Sequence, residues 1–180
     1  MRPLRQHSRP SSWLPPRGVA TDLGSTLPRP GINHKGMVVS ISLTDRVDPL
    51  DEDWSCEAGG FIPTTTNLIC RGFWYEGETM HDLPTPGGTH GFATAVDSRG
   101  QIVGWAETLV HDPTCVAVQV LPFRALMWEP RKGATRELPP LPGDSTSAAT
   151  AINERGQAVG ISGRCDQAVG RFSAHRRTRR

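Results

Sequence analysis

The chain reads as an all-β protein, a propeller-like repeat of four-stranded blades, incomplete at about two to three blades. Three observations predict this. Gly (19) and Pro (16) are spread so densely through the 180 residues that few stretches run unbroken for the usual length of a helix. A unit carrying a Trp, an acid-Leu pair and a Gly-Gln-x-Val-Gly segment recurs, with Trp74, Leu83 and Gly104 answered by Trp128, Leu138 and Gly160. With 36% hydrophobic and 21% charged residues, the composition suits one modest globular domain.

Taken in order, residues 1–18 form a basic Pro/Arg-rich segment with Arg2, Arg5, Arg9 and Arg17 and no acid, and are expected to be disordered. The β-repeat domain is expected over 19–174, and 175–180 is a second basic tail. Those ends hide the charge of the body, which carries 12 basic and 18 acidic residues and a net charge of −6. Arg-rich ends on an acidic body argue against nucleic-acid binding. No window is long and apolar enough for a membrane span, and no signal peptide is visible at the start.

A degenerate first unit runs over 13–40, from Trp13 through Asp22-Leu23 to Asn33 and Gly36, with Ser40 where the other units have Gly. The two clear units are 71–104 and 124–160. Each predicts four short strands. Phe73-Trp74-Tyr75 and Leu126-Met127-Trp128 are apolar-aromatic runs, and Met80–Leu83 and Thr135–Leu138 follow them. Loops are expected at Pro86-Gly87-Gly88 and Pro142-Gly143. A hairpin then joins Ala93–Val96 to Gln101–Val103, and Ala149–Ile152 to Gln157–Val159. Its turn opens with Asn or Asp (Asn33, Asp97, Asn153) and closes with Gly (Gly36, Gly100, Gly156), which predicts a type I turn whose Gly takes positive φ and forms a bulge. The repeat positions Trp74, Leu83, Asp97, Gly100, Gly104, Trp128, Leu138, Asn153, Gly156 and Gly160 are all explained by structure alone.

Trp, acid-Leu, Pro-Gly, a small-residue strand ending in Ile152-Asn153, and Gly156-Gln-x-Val-Gly160 in that order resemble the HAF-repeat family over roughly residues 70–174, with an echo from residue 13. The naming His-Ala-Phe tripeptide is absent; Phe73 and Ala125 alone keep a signature position. The resemblance implies a bacterial, extracellular protein built of propeller-like blades, and no activity carries over from it. Two good units and one damaged one cannot close a ring. The abrupt Arg-rich end after Ala174 is what a truncation or frameshift would leave, and an open stack of blades or a ring completed by other chains is the alternative.

Candidates for chemistry are few. Cys56, Cys70, Cys115 and Cys165 fall between repeated strands; the favoured bridge is Cys56–Cys70, although sequence does not give connectivity and free thiols are the alternative. No C-x₂-C pair exists for zinc. The acidic run Asp45, Asp48, Asp51, Glu52, Asp53 lacks calcium-loop spacing and reads as a solvated loop. There is neither a Gly-x-Ser-x-Gly elbow nor a phosphate loop, and His90 with Asp97 is the one pair expected to line a pocket near a common rim. No catalytic residue, metal or cofactor is assigned.

The function expected is a non-catalytic scaffold that presents the long segments 41–70 and 105–123 to a protein or carbohydrate ligand, with self-association through exposed blade faces. A secreted hydrolase or lyase, its site in the channel of a completed propeller, is the alternative from another class. A non-functional truncated remnant is the third reading.

Overall fold

The structure, a computed structural model, describes residues 11–14, 19–22, 31–52, 67–116 and 119–167. Most of both basic ends, and Cys56 of the expected Cys56–Cys70 bridge, lie outside the described residues. What is described is predominantly strand with almost no helix, and the strands are arranged in antiparallel sheets.

Among the described residues twelve strands occur in chain order. β1 (Ser11–Leu14) pairs with β2 (Val19–Asp22) in a two-stranded sheet. β3 (Gly31–Ile32), β4 (Val38–Val47), β5 (Leu68–Glu76) and β6 (Thr79–Asp82) form a four-stranded sheet in that order. β7 (Gly87–Val96), β8 (Ile102–Thr108), β9 (Phe123–Glu129) and β10 (Ala134–Leu138) form a second. β11 (Thr146–Ile152) and β12 (Ala158–Gly163) form a two-stranded hairpin.

The sheet boundary does not coincide with the sequence unit. The aromatic strand and the acid-Leu strand of a unit, such as β5 and β6, complete the sheet begun by the preceding hairpin, and the unit's own hairpin, β7 and β8, begins the next sheet. Each repeat therefore straddles two sheets and cannot bury its apolar residues alone.

The turn chemistry recurs three times. The side-chain Oδ1 of Asn33, Asp97 and Asn153 accepts the backbone N–H of the residues two and four ahead, at 2.8–3.1 Å. Gly36, Gly100 and Gly156 close these turns at φ of 83°, 81° and 78°, where a Cβ is costly. Beyond the turn, β7 and β11 each carry a bulge, at Ala93/Ala95 and Ala149/Ala151. The bulged residues Thr94 and Thr150 donate their hydroxyls to the carbonyls of Val103 and Val159. The bulge crowds the facing strand, so that a Cβ on Gly104 would sit 1.9 Å from the Phe92 oxygen, and one on Gly160 would sit 2.0 Å from that of Ala148. In the first unit β3 pairs with β4 only through Gly31↔Val39 and Ile32↔Val38, so among the described residues no bulge faces Ser40 and a side chain is tolerated there.

The layers pack face to face. Met37, Val39, Leu83, Ala93, Ile102, Leu126 and Trp128 fill the space between the two four-stranded sheets. Val103, Ala125, Met127 and Ala149, together with Trp105, Phe123 and Ala148, fill that between the second sheet and the β11–β12 hairpin. Phe73, Phe123 and Trp128 are at most 2% exposed, and burying each contributes about 2–3 kcal/mol.

Trp74 and Trp128 are not equivalent within this packing. Val39 and Val103 each follow their turn Asn or Asp by six residues, yet Val39 faces Trp74 whereas Val103 faces Met127. The cause is a one-residue offset within the aromatic strand, since Trp74 lies two residues before the closing pair Glu76↔Thr79 but Trp128 lies one residue before Glu129↔Ala134. A one-residue slip reverses the face of a strand residue. Trp74 consequently leans from the first sheet, stacked on His81 at 4.1 Å, and Trp128 points back from the second into the same core, its Nε1 donating to the Pro84 carbonyl at 2.8 Å.

Candidate functional site

Every hairpin turn lies at one end of its strands, and the long connections lie at the other. β4 extends to Val47 and β8 to Thr108, so the connections are shorter than the segments 41–70 and 105–123, running over 48–67 and 109–122. Pro86 precedes β7, and Gly87-Gly88 are its first residues rather than loop.

At the connection end, four titratable side chains meet in the interior. Glu52 and His90 are 0% exposed, Glu107 0% and Asp48 4%. This corrects the solvated-loop reading of the acidic run: Asp45 and Asp51 are exposed, but Asp48 and Glu52 turn inward because their carboxylates satisfy backbone donors that no strand partner serves. Asp48 Oδ2 accepts the Glu52 N–H at 2.6 Å and the Leu50 N–H at 3.2 Å. Glu52 Oε1 reaches across to the second connection and accepts the N–H of Val120 and, at 2.7 Å, of Leu121. One carboxylate thus ties the two connections together.

Glu107, on β8, accepts the His90 N–H at 2.8 Å and the Thr89 hydroxyl at 3.0 Å. His90 Nδ1 accepts the Cys70 N–H at 3.1 Å, which places the ring proton on Nε2, 3.6 Å from Asp48 Oδ1. Burial pushes the Glu107 carboxyl up to about 8, the nearby Glu52 adding to it. Burial also raises Glu52 and lowers His90. At neutral pH the cluster therefore favours uncharged Glu107 and His90. Asp48 Oδ1, Glu52 Oε2, Glu107 Oε1 and His90 Nε2 are buried without a hydrogen-bond partner.

His90 and Asp97 do not share a rim. They occupy opposite ends of β7, because a fully extended strand separates residues by about 3.3 Å each. Asp97 is held in its turn, paired with Arg99 at 3.0 Å.

A disulfide joins Cys115, in the second connection, to Cys165 just after β12, closing a separation of 50 residues. Asp112 caps this corner: its Oδ1 accepts both the N–H and the hydroxyl of Thr114 at 2.8 Å, and Thr114 accepts the Cys165 N–H at 3.3 Å. The Asp112 carboxylate and the two sulfurs lie within 4.8 Å of one another, but sulfurs bonded to each other are not thiolates and hold no metal in this state. Cys70, set within β5, is also disulfide-bonded.

Of the repeat positions, Leu83, Gly104 and Trp128 border the core between the sheets, and Leu138 packs beside Met127. Asp97, Gly100, Asn153 and Gly156 form the turn rim, where Asn33 Nδ2 donates to the Asp97 carbonyl at 2.8 Å and the Ser98 N–H to Glu154 at 3.0 Å. A recess of 180 Å³ on that rim is lined by Arg99, Gly100, Gln101, Glu129, Arg131 and Lys132. A second, of 360 Å³, is lined by Arg46, Arg71, Asp82, Leu83 and Pro84. Neither includes a member of the buried cluster.

The cluster escaped sequence reasoning because its members come from three separate segments: Asp48 and Glu52 from the first connection, His90 from β7 and Glu107 from β8. One signal was present: Ile102–Thr108 is buried at every position, and a Glu inside such an apolar run calls for partners. Among the described residues no helix is long and apolar enough to cross a membrane. Comparison of the chain with protein-family models, curated proteins and solved structures finds no match.

Proposed function

We propose that the chain is a non-catalytic β-repeat scaffold of the HAF-repeat type, its sheets arranged as propeller-like blades, that binds a protein partner through its two long connections. One observation carries this reading. The acids and the histidine that would serve catalysis are closed inside the fold and hold the connections in place, while the end of β4 displays Val47 and the connections display Leu50, Leu109, Val110 and Val116 at 40–75% exposure. Apolar side chains held out on anchored loops are what a recognition surface offers. The Cys115–Cys165 bridge supports an oxidising, extracellular setting.

The test presents the immobilised chain to a random-peptide phage library and to a glycan array. Peptides with apolar anchors should be enriched, and the double substitution Leu109→Ser, Val110→Ser should abolish their binding. Cleavage of an arrayed glycan, or peptide binding indifferent to that substitution, sinks the proposal.

A further inference from the structure

The two two-stranded sheets are complementary halves of the sheet seen twice in full. In each four-stranded sheet a turn-closed hairpin supplies the first two strands and an aromatic hairpin the last two. Among the described residues, β11–β12 is a hairpin of the first kind with no strand beyond β12, and β1–β2 is an aromatic hairpin with no strand before β1.

The match extends to register. β9–β10 pairs Glu129↔Ala134, Trp128↔Thr135, Met127↔Arg136 and Leu126↔Glu137. β1–β2 pairs Leu14↔Val19, Trp13↔Ala20, Ser12↔Thr21 and Ser11↔Asp22. The connecting residues are Pro-Arg-Lys-Gly in one and Pro-Pro-Arg-Gly in the other, equal in length and alike in their first and last residues. Trp13 thus holds the register place of Trp128. β12 holds the place of β8, since Val159 and Val103 both follow their turn Asn or Asp by six residues. The unfilled edge leaves Val159 63% exposed, against 0% for Val103 and Val39.

We propose that β1 of a second copy of this chain adds antiparallel to the open edge of β12, so that β11, β12 and the second copy's β1 and β2 form one four-stranded sheet. The β8–β9 ladder, Ile102↔Trp128, Val103↔Met127 and Gly104↔Leu126, sets the register: Ala158 opposite Trp13, Val159 opposite Ser12, Gly160 opposite Ser11. Main-chain hydrogen bonds left open at an edge supply the affinity, and the ladder supplies the specificity. The two contacting surfaces differ, so association is head to tail and grows into a ring or a filament.

The experiment mixes the single variants Ser12→Cys and Val159→Cys under mild oxidation, with the native bridges left intact. Directly opposed strand residues lie about 4.5–5.5 Å apart, within disulfide reach. A mixed disulfide between two chains should form at least tenfold faster for this pair than for Ser12→Cys with Ser162→Cys, which is displaced by about 10 Å along the strand. Mass spectrometry of the joined peptides identifies the link. Equal rates for the two pairs overturn the proposal. So does cross-linking of the Ser12→Cys, Val159→Cys double variant within a single chain, which would make the closure intramolecular. Light scattering gives a second readout: the concentration-dependent oligomers expected of the native chain should vanish in Ser12→Pro, and a native chain that stays monomeric at every concentration overturns the proposal.

Discussion

The two ends of these strands are built on different principles. At the turn end, three short motifs repeat the same Asn/Asp-x-x-Gly chemistry, and every hydrogen bond accepted by the turn's Oδ1 spans four residues or fewer. At the connection end nothing repeats among the described residues: Glu52 bonds to backbone 68 and 69 residues away, His90 to Cys70, and Cys115 to Cys165. Local chemistry makes an end that can be copied from unit to unit, and long-range pins make one that is individual to its position. The individual end is therefore where the chain can diverge while the strands stay the same, and it is the end to which the proposed function assigns binding.

The largest way to break the connection end is to open its covalent pin. For a separation of 50 residues, chain entropy sets the stabilisation from the Cys115–Cys165 bridge at about 4 kcal/mol. Cys115→Ser with Cys165→Ser should lower the denaturation midpoint accordingly, and hydrogen exchange should quicken in 109–122 before it does in β7 and β8. Uniform quickening throughout would mean that the two ends are one cooperative unit.

Glu107 sharpens the comparison by pH. Its carboxyl titrates near 8 in the fold against 4.5 as the ordinary value, so its contribution is full below 4.5 and is lost as pH rises through 8. Glu52, also raised by burial, acts in the same direction. His90 is lowered from 6.5, so its contribution is present above that value and fades on acidification. Glu107→Gln mimics the protonated acid, and should overtake the native chain in thermal stability across the interval from 4.5 to 8, by about 4 kcal/mol at its upper end. Parallel pH profiles for the two proteins would refute a protonated Glu107.

The turn end gives the smallest effects. Asn153→Ala, at an exposed turn, removes side-chain bonds to its own backbone and should cost about 1 kcal/mol in chemical denaturation. Asn33→Ala also removes the bond from Nδ2 to the Asp97 carbonyl of the neighbouring sheet, and should cost about 2 kcal/mol. Equal losses would show that the turns stand independently of one another.

Legibility in the sequence follows the same division. The Asn/Asp and Gly of the turns are visible because the motif needs only its own few residues. Ala93-Thr94-Ala95 and Ala149-Thr150-Ala151, with Gly104 and Gly160 opposite, are visible as a repeat, although only the bulge explains the need for small residues there. Trp74 and Trp128 mislead, because a sequence alignment pairs identical residues whereas the ladder counts positions, and a one-residue difference in their distance from the hairpin's closing pair puts them on opposite faces. The buried acids mislead for another reason. Asp48 and Glu52 lie among solvent-exposed acids in sequence, and nothing local marks them as the two that meet unsatisfied backbone across the fold.

The sequence by itself determined the β class, the repeat and the chemistry of its turns, since strand period and turn conformation depend on residues within a few positions of one another. The tertiary structure alone decided which strands share a sheet, which cysteine Cys115 meets, and that Asp48, Glu52, His90 and Glu107 converge. Those outcomes depend on the packing of segments tens of residues apart, where one residue of register or one connection's path changes the partner without changing any local preference.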